Sequence, residues 1–208
     1  MLEHVPHWLG QLLSPLRAGH EKLLAARPDL AVRGVVELMS PAFAHGARLP
    51  ERFTADGAGV SPPLVWGELP EGTAGLALIV EDPDAPLPNP LVHALVWNLP
   101  PDTGRLAEGA IVADGDGGAD GRDVGRTSYG REGWLPPDPP TGHGSHDYVF
   151  QIFALSEVVP LAPNPGRGDL AEAIAGRILA AGILIGTYQR GDAAPAFVAG
   201  SPGPALAG

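Results

Sequence analysis

Two aspartates and a histidine lie close together in the stretch IVEDPDAPLPNPLVHALVWNLP, residues 79–100. Asp82 and Asp84 follow a short apolar run, and His93 stands near the start of a second one. Because each run is typical of a buried strand, the carboxylates and the imidazole are predicted to meet in a polar pocket at a sheet edge. The alternative is that the aspartates cap a turn and that His93 is an ordinary buried strand residue.

A second group of polar residues lies in GRTSYGREGWLPPDPPTGHGSHDYVFQIFAL, residues 125–155. A strand is predicted near the end of this stretch. The alternation of side chains along it places His146 and Tyr148 on one face. Gly142 and Gly144 permit backbone conformations that expose amide N–H groups, which can form an anion site. An imidazole, a phenol and backbone donors suit a phosphate-like oxyanion. The alternative is a surface loop whose histidines contact only solvent.

Short apolar runs separated by glycine and proline predict the strands that must position these side chains. The candidate strands are Val35–Met39, Leu76–Glu81, His93–Asn98, Tyr148–Leu155 and Gly182–Tyr188. Short strands with long, turn-rich connections indicate a mainly β fold, an antiparallel β-sandwich with a few peripheral helices. One helix is expected after the fourth strand, with Asp169 as its N-cap. Its apolar face would contain Leu170, Ile174, Ile178 and Leu179.

The two ends of the chain differ from the predicted β domain, which spans residues 33–190. Leucines at three- and four-residue steps predict an N-terminal helical extension over residues 1–32, with short helices at about 6–13 and 15–26. Ser14 before Pro15 is typical of a helix N-cap. The apolar stripe is expected to pack on the body of the chain or on a second copy, as a homodimer. Residues 191–208 are expected to form a flexible tail, and the Gly/Asp-rich stretch Asp114–Gly125 an unstructured loop.

Composition excludes several classes of function. A formal net charge of −11 would repel a phosphate backbone, so no nucleic-acid partner is expected. The chain has no cysteine, which excludes disulfides and thiolate chemistry. No apolar stretch approaches the roughly 20 residues of a membrane span, and the N-terminus lacks the pattern of a secretion signal. A cytoplasmic location is therefore expected.

In combination, these motifs resemble the phosphatidylethanolamine-binding protein family, and most of all its bacterial Raf kinase inhibitor-like branch. The resemblance spans about residues 35–190. The motifs occur in the family's order: Ser61-Pro62-Pro63-Leu64, EDPDAP at 81–86, His93 with WNLP at 97–100, the stretch 128–155, and GTYQR at 186–190. This resemblance implies a β-sandwich with a small pocket for phosphate, phosphoethanolamine or a phospholipid head-group. For some members it also implies regulation of a kinase.

The resemblance further implies which residues bind the ligand: Asp82, Asp84, His93, Pro139, Pro140, Gly142, His146 and Tyr148. Two acids depart from the pattern of the branch. Asp147 stands where an arginine is usual, and Asp138 replaces the usual cysteine of the proline-rich run. Two added negative charges near the mouth of the pocket are expected to weaken its attraction for anions.

The resulting hypothesis is a non-enzymatic binding protein that holds an anionic group and needs no cofactor. A metal-dependent hydrolase is the alternative, since the Asp82, Asp84 and His93 side chains, with those of His143 and His146, are suitable metal ligands. The helical HExxH arrangement and the GxSxG elbow are both missing from the sequence. A third possibility is an interaction module that recognises a phosphorylated or acidic segment of a partner such as a kinase.

Overall fold

The computed structural model of the protein describes residues 11–114 and 122–191. The eight strands are β1 (Leu38–Met39), β2 (Leu64–Trp66), β3 (Gly75–Asp82), β4 (Leu91–Leu99), β5 (Arg105–Leu106), β6 (Asp123–Val124), β7 (His146–Leu155) and β8 (Ile178–Tyr188). Helix α1 spans Arg167–Ile174. Short 3₁₀ turns cover His20–Lys22, Leu24–Ala26, Glu51–Phe53 and Pro101–Thr103. Within these described ranges, no helix is long and apolar enough to cross a membrane.

The strands form two antiparallel sheets that enclose a common core. The large sheet has the order β6-β4-β3-β7-β8 and the small sheet the order β1-β2-β5. Apolar residues from both sheets meet in one buried cluster: for example, Leu38 and Trp66 of the small sheet contact the group that contains Leu78 and Phe150 of the large sheet. The predicted mainly β, antiparallel sandwich is therefore confirmed.

The central strand β3 is buried on both faces of the large sheet. Leu78 and Val80 belong to the core between the sheets, whereas Ala77 and Ile79 belong to a second cluster on the outer face. Helix α1 and the N-terminal segment supply the other side of this outer cluster. Burial on both faces explains why the strand is a continuous apolar run rather than an alternating pattern.

Most predicted strands are confirmed, but two expectations about the edges are wrong. The first strand is limited to Leu38–Met39, because Val35 is exposed and makes only an isolated bridge with Ala181. The stretch expected to be an unstructured loop contains β6, which pairs with β4 through Val124 and Val96. Val124 is an apolar, β-branched residue that is buried at the sheet edge, so it favours a strand. Residues 115–121 of the expected loop lie outside the described part of the chain.

The expected helix after β7 exists, but its cap and its extent differ from the prediction. Gly166 is the N-cap, and Asp169 lies at N3, where its Oδ2 accepts a hydrogen bond from the Gly166 amide at 2.7 Å. An acidic side chain at N3 can accept from the N-cap amide, so acids are common at N3 as well as at the N-cap. An acid near the start of a helix therefore does not identify the N-cap residue. The helix ends at Ile174, and Ile178 pairs with Leu155 as the first residue of β8.

The N-terminal segment does not form the second predicted helix, residues 15–26. Gly19 has a φ of 105°, which interrupts helical geometry, and two 3₁₀ turns replace the helix. The amides of Leu24 and Ala25 donate to Glu81 and Gln151 at 2.8 Å each, so side chains of the sheet replace helical partners. Residues 11–13 are helical, whereas residues 1–10 and the expected tail over 192–208 lie outside the described residues.

Candidate functional site

Asp82 and Asp84 form a tight acidic turn at the end of β3. The Asp84 amide donates to Asp82 Oδ1 at 2.8 Å, so the first acid does cap the turn. Asp84 Oδ2 accepts from the Asp147 amide at 2.7 Å, and Oδ1 contacts the Arg17 guanidinium. Consecutive residues face opposite sides of the sheet: Asp82 bonds His146 in the interior, while Glu81 bonds Gln151 and Arg167 on the outer face. Only the DPD part of the motif thus belongs to the site.

A β-bulge places His93 in the interior of the sandwich. Val80 pairs with Ala94 and Glu81 pairs with Val92, which leaves His93 as the additional residue of β4. Bulges redirect side chains and are common beside functional sites. The His93 ring meets the Tyr148 ring edge-on, with centroids 5.0 Å apart and planes at 84°. Two rings from strands on either side of β3 are brought together in this way.

His93 is held as a neutral imidazole with its Nε2 atom unprotonated. Its Nδ1 lies 2.7 Å from the Leu135 carbonyl oxygen, which can only accept, so Nδ1 carries the proton. Burial lowers the pKa of His93, and the Asp82 carboxylate offsets this only in part. With Nδ1 donating, the neutral ring presents Nε2 as a hydrogen-bond acceptor.

Two buried polar atoms at this contact have no hydrogen-bond partner among the described residues. They are His93 Nε2 and the Tyr148 hydroxyl. Burial raises the pKa of Tyr148 well above its usual value, and the nearby Asp82 adds to the effect, so the phenol keeps its proton. Buried polar groups are almost always hydrogen-bonded, and each exception requires an explanation such as a water molecule or a ligand.

His146 has both ring nitrogens engaged within the protein. Nδ1 lies 2.8 Å from Asp82 Oδ2, and Nε2 lies 2.7 Å from Nδ1 of His143. His143 Nε2 in turn lies 2.9 Å from the carbonyl oxygen of Leu13. The two histidines and Asp82 therefore form a hydrogen-bonded chain, which we call the His143–His146–Asp82 relay.

Counting protons gives the charge of this relay. Leu13 offers only an acceptor, so each of the three hydrogen bonds needs one proton from the two rings and the carboxyl group. Three protons correspond to one imidazolium opposite one carboxylate, and the relay as a whole is neutral. Burial lowers the pKa of His143, as does the neighbouring His146. The charge of Asp82 is thus compensated inside the protein.

The loop that carries the expected rim residues is fixed against β4 and β8. The Leu135 amide donates to the backbone carbonyl of His93 at 2.8 Å. The Leu135 carbonyl in turn accepts from Nδ1 of the His93 ring. Pro139 and Pro140 are buried, and Pro139 accepts from Arg190 at 3.2 Å. The His143 amide donates to the Pro140 carbonyl across Gly142, whose φ is 86°. All eight residues expected to bind the ligand belong to β3, β4, β7 or the turns and loop beside them.

Each of the two added acids has a basic side chain beside it. Arg190 bonds Asp138 at 2.6 Å and Asp56 at 2.7 Å. Burial alone would lower the pKa of Arg190, but these carboxylates raise it. Asp147 lies 3.5 Å from His20. Burial raises the pKa of Asp147, and the Asp84 carboxylate raises it further. The charge of Asp138 is therefore compensated by the closing GTYQR motif, a pairing that the sequence pattern did not reveal.

Sequence reasoning also missed the N-terminal segment as a neighbour of the site. Arg17 contacts Asp84 and donates to the Ser145 carbonyl at 3.2 Å. The amides of Ala18 and Gly19 donate to the carbonyls of residues 85 and 83 at 3.0 and 2.8 Å. Together with the bond from His143 to Leu13, these contacts place residues 13–20 over the acidic turn and the histidine loop. Their spacing carries no signal for this position, because the partners are more than 60 residues away.

The metal ligands of the hydrolase alternative do not converge on one ion position. The relay uses both ring nitrogens of His146 and both of His143. A different group within the described ranges, His20, Asp84 and Asp147, brings its ligand atoms within 4.8 Å of one another. Arg17 already contacts the Asp84 carboxylate there, so a second cation would have to compete with a guanidinium.

Comparison with known proteins gives consistent matches. The model of a family described as phosphatidylethanolamine-binding protein matches residues 39–189. A UPF0098 protein of Methanothermobacter thermautotrophicus is 39% identical over 156 residues, which cover 75% of this chain and 100% of that protein. LppC of Mycobacterium tuberculosis, a lipoprotein candidate, is 38% identical over 152 residues, which cover 73% of this chain and 71% of LppC.

A solved structure also matches most of the chain. The crystal structure of Escherichia coli YbcL, described as a new member of the mammalian family of phosphatidylethanolamine-binding proteins, has a TM-score of 0.69 and 28% identity. The match covers 74% of this chain and 98% of YbcL. The matched family region begins at residue 39, so the segment that covers the acidic turn precedes it.

Proposed function

Because the chain belongs to the phosphatidylethanolamine-binding protein family, we propose that it is a binding protein whose site at His93 and Tyr148 holds a phosphate-like anionic group. Family membership supports the binding role. The phosphate-like ligand, whether free or as a phosphoethanolamine or phospholipid head-group, is our own proposal.

One observation carries the ligand proposal: two buried polar atoms without partners, His93 Nε2 and the Tyr148 hydroxyl, belong to rings in direct contact. Leaving either atom unpaired costs about 1–3 kcal/mol. A small oxygen-rich group that reached both atoms would recover this cost. A phosphate-like group is well suited, because its oxygens can accept from the phenol and, when protonated, donate to the imidazole.

The other expected site residues support these two rings rather than replace them. The Asp82 and His146 side chains hold one another through the relay, which fixes their positions beside Tyr148 on the inner face. Pro139, Pro140 and Gly142 belong to the loop whose Leu135 carbonyl accepts a hydrogen bond from Nδ1 of His93. Asp84 ties the acidic turn to β7 and to Arg17. We assign these residues to shaping the pocket.

Binding is favoured over metal-dependent hydrolysis because the hydrolase would need the relay histidines as ligands. Both nitrogens of each ring are already bonded within the protein. Regulation of a kinase, a homodimer and a cytoplasmic location are further expectations. They depend on the resemblance or on the composition, and the described contacts of the chain add no argument for them.

A titration tests the proposal. The amide NMR signals of Gly142 to Tyr148 and of His93 are followed while phosphate or phosphoethanolamine is added to the full chain. Saturable shifts are expected, and His93→Ala should weaken binding by about 1.5–3 kcal/mol, the value of a hydrogen bond to a charged group. His45→Ala, at an exposed histidine, is the control. Signals that stay unmoved at millimolar ligand would refute the anion site.

A further inference from the structure

We propose that the site selects an oxyacid that still carries one ionisable proton, such as a singly ionised phosphate monoester, over an equally charged anion that carries none. This inference depends on the anion site of the proposed function and specifies its ligand class. It follows from the hydrogen-bonding roles that the structure imposes on the two unpaired atoms and from the charges around them.

His93 acts as a hydrogen-bond acceptor through Nε2. The Leu135 carbonyl oxygen, 2.7 Å from Nδ1, fixes the proton on that nitrogen. Nε2 of the neutral ring therefore offers a lone pair. An unprotonated anion oxygen opposite this atom would place two lone pairs against one another, whereas a P–OH group would donate to it. A proton on the ligand is thus needed at this position.

Tyr148 acts as a hydrogen-bond donor through its hydroxyl. Its hydroxyl has no partner within the described residues and keeps its proton, because burial opposes formation of phenolate. A phenol donates well to a charged oxygen. The site consequently presents one acceptor and one donor on adjacent rings, a pair that a P–OH and a P–O⁻ of the same group would match.

The acidic groups around these two rings have basic partners within the protein. From β3 the group facing His93 is Asp82, from β7 it is His146 with Tyr148, and from the proline-rich loop it is Asp138. Asp82 is compensated by the relay, and Asp138 is paired with Arg190. Beyond these, Asp84 is paired with Arg17, and Asp147 lies beside His20. Asp82, Asp84 and Asp138 are thus each opposed by a basic group, and Asp147 adds no positive charge, so these described side chains offer little excess positive charge to a dianion.

The alternative is that His93 takes up a proton when an anion binds, which would make Nε2 a donor. Burial and the imidazole of His146 both oppose that charge, although Asp82 favours it. In that case the site would accept any tetrahedral anion of the right size. The two mechanisms differ in a measurable way, because only a protonated His93 can bond an oxyanion that has no proton.

Methyl phosphate and methyl sulfate form the decisive pair of probes. Both are small tetrahedral monoesters, and at about pH 5 both carry roughly one negative charge, but only methyl phosphate retains a proton, with a second pKa of about 6. Calorimetric titration of the full chain at about pH 5 and about pH 7 should show methyl phosphate binding about tenfold more weakly at the higher pH. The reason is that its singly ionised form falls about tenfold across that interval. Methyl sulfate should bind at least about tenfold more weakly than methyl phosphate at about pH 5.

The outcomes separate this inference from the proposed function. Equal binding of the two probes at about pH 5 would overturn the proton requirement while leaving the anion site intact. If neither probe binds at either pH value, the anion site is refuted and this inference with it. His93→Gln, which can place an N–H donor where Nε2 accepts, should reduce the preference for methyl phosphate over methyl sulfate. Tyr148→Phe should weaken the binding of both probes by a similar factor. An unchanged preference for methyl phosphate in His93→Gln would contradict the assignment of His93 Nε2 as the acceptor.

Discussion

The Arg17 guanidinium contacts the Asp84 carboxylate across 67 residues of sequence and joins the N-terminal segment to the acidic turn of the site. The region that matches the family model begins only at residue 39, so Arg17 lies outside that region. Asp84 also accepts from the Asp147 amide. The carboxylate thus links β3, β7 and the N-terminal segment at one point.

Arg17→Gln should loosen the N-terminal segment with a small loss of stability. The Arg17 side chain is 37% exposed, and such ion pairs contribute about 0–1 kcal/mol. We expect faster amide hydrogen exchange at Ala18 and Gly19, whose amides bond the acidic turn, with little change in the strands. Exposed Arg33 changed to Gln is the control. Exchange at Ala18 and Gly19 equal to that of the unchanged protein would contradict this role of the ion pair.

Glu81→Gln should be among the most destabilising single changes in the protein. Glu81 is fully buried and accepts from Leu24, Gln151 and Arg167. Glutamine keeps only one of the two oxygens, so either the Arg167 guanidinium on Oε1 or the two amide groups on Oε2 lose their acceptor. The negative charge opposite Arg167 is lost in either case, and breaking a buried ion pair costs about 3–5 kcal/mol. Urea unfolding followed by circular dichroism measures the loss.

The matched control for that change is Glu157→Gln. Glu157 lies 2.5 Å from Arg177, the same separation as between Glu81 and Arg167, but its side chain is 58% exposed. Its loss should change the free energy of unfolding by no more than about 0.5 kcal/mol. Similar losses of unfolding free energy in the two variants would show that burial does not determine how much these ion pairs contribute to stability.

Tyr148→Phe and Tyr188→Phe should differ in their effect on stability. The Tyr148 hydroxyl is buried without a partner within the described chain, so removing it should leave stability unchanged or slightly higher. The Tyr188 hydroxyl donates to Asp56 at 2.7 Å, and its removal should cost about 1 kcal/mol. Thermal unfolding in a buffer free of phosphate distinguishes the two. A larger loss for Tyr148→Phe would mean that its hydroxyl is bonded in solution.

Stability should fall as the pH drops below about 6.5, the value at which an unperturbed histidine is half protonated. Burial lowers the pKa of His93 and of His143 in the folded protein, so the unfolded chain binds more protons in this range. A free energy of unfolding that rises with pH follows, by up to about 1.4 kcal/mol per pH unit for each histidine. Urea unfolding at a series of pH values measures this slope.

His93→Gln should reduce that slope, because it removes one of the two buried histidines whose pKa is lowered in the folded protein. His45→Gln, at an exposed position, should leave the slope unchanged. Since both folded-state pKa values are lowered, a slope that is flat or negative between about pH 5.5 and 6.5 would contradict the buried, neutral state of these rings.

The principal strands and the order of the motifs could be predicted from the sequence. Apolar runs such as that of β3 and the placement of His146 and Tyr148 two residues apart on one face follow from local periodicity, which needs no knowledge of the fold. A turn capped by an aspartate was likewise one of the two interpretations of this stretch, and the Asp84 amide does donate to the Asp82 carboxylate. These features are local in sequence.

The partners of the charged groups could not be predicted in the same way. Arg190 compensates Asp138 from 52 residues away, and His143 bonds Leu13 from 130 residues away. The bulge that turns His93 inward depends on the register between β3 and β4. Where the predicted helix at residues 15–26 failed, the amides of Leu24 and Ala25 found acceptors on the sheet instead.

The sequence by itself predicted the antiparallel β fold through strand periodicity, and the resemblance of its motifs predicted the family and the candidate ligand residues. These signals are all carried by neighbouring positions of the chain. Only the tertiary structure decided which of those residues remain unpaired. A buried polar atom is matched or left without a partner by groups that arrive from distant parts of the chain. His93 Nε2 and the Tyr148 hydroxyl stay unmatched, while His146 and the acids are matched within the described protein.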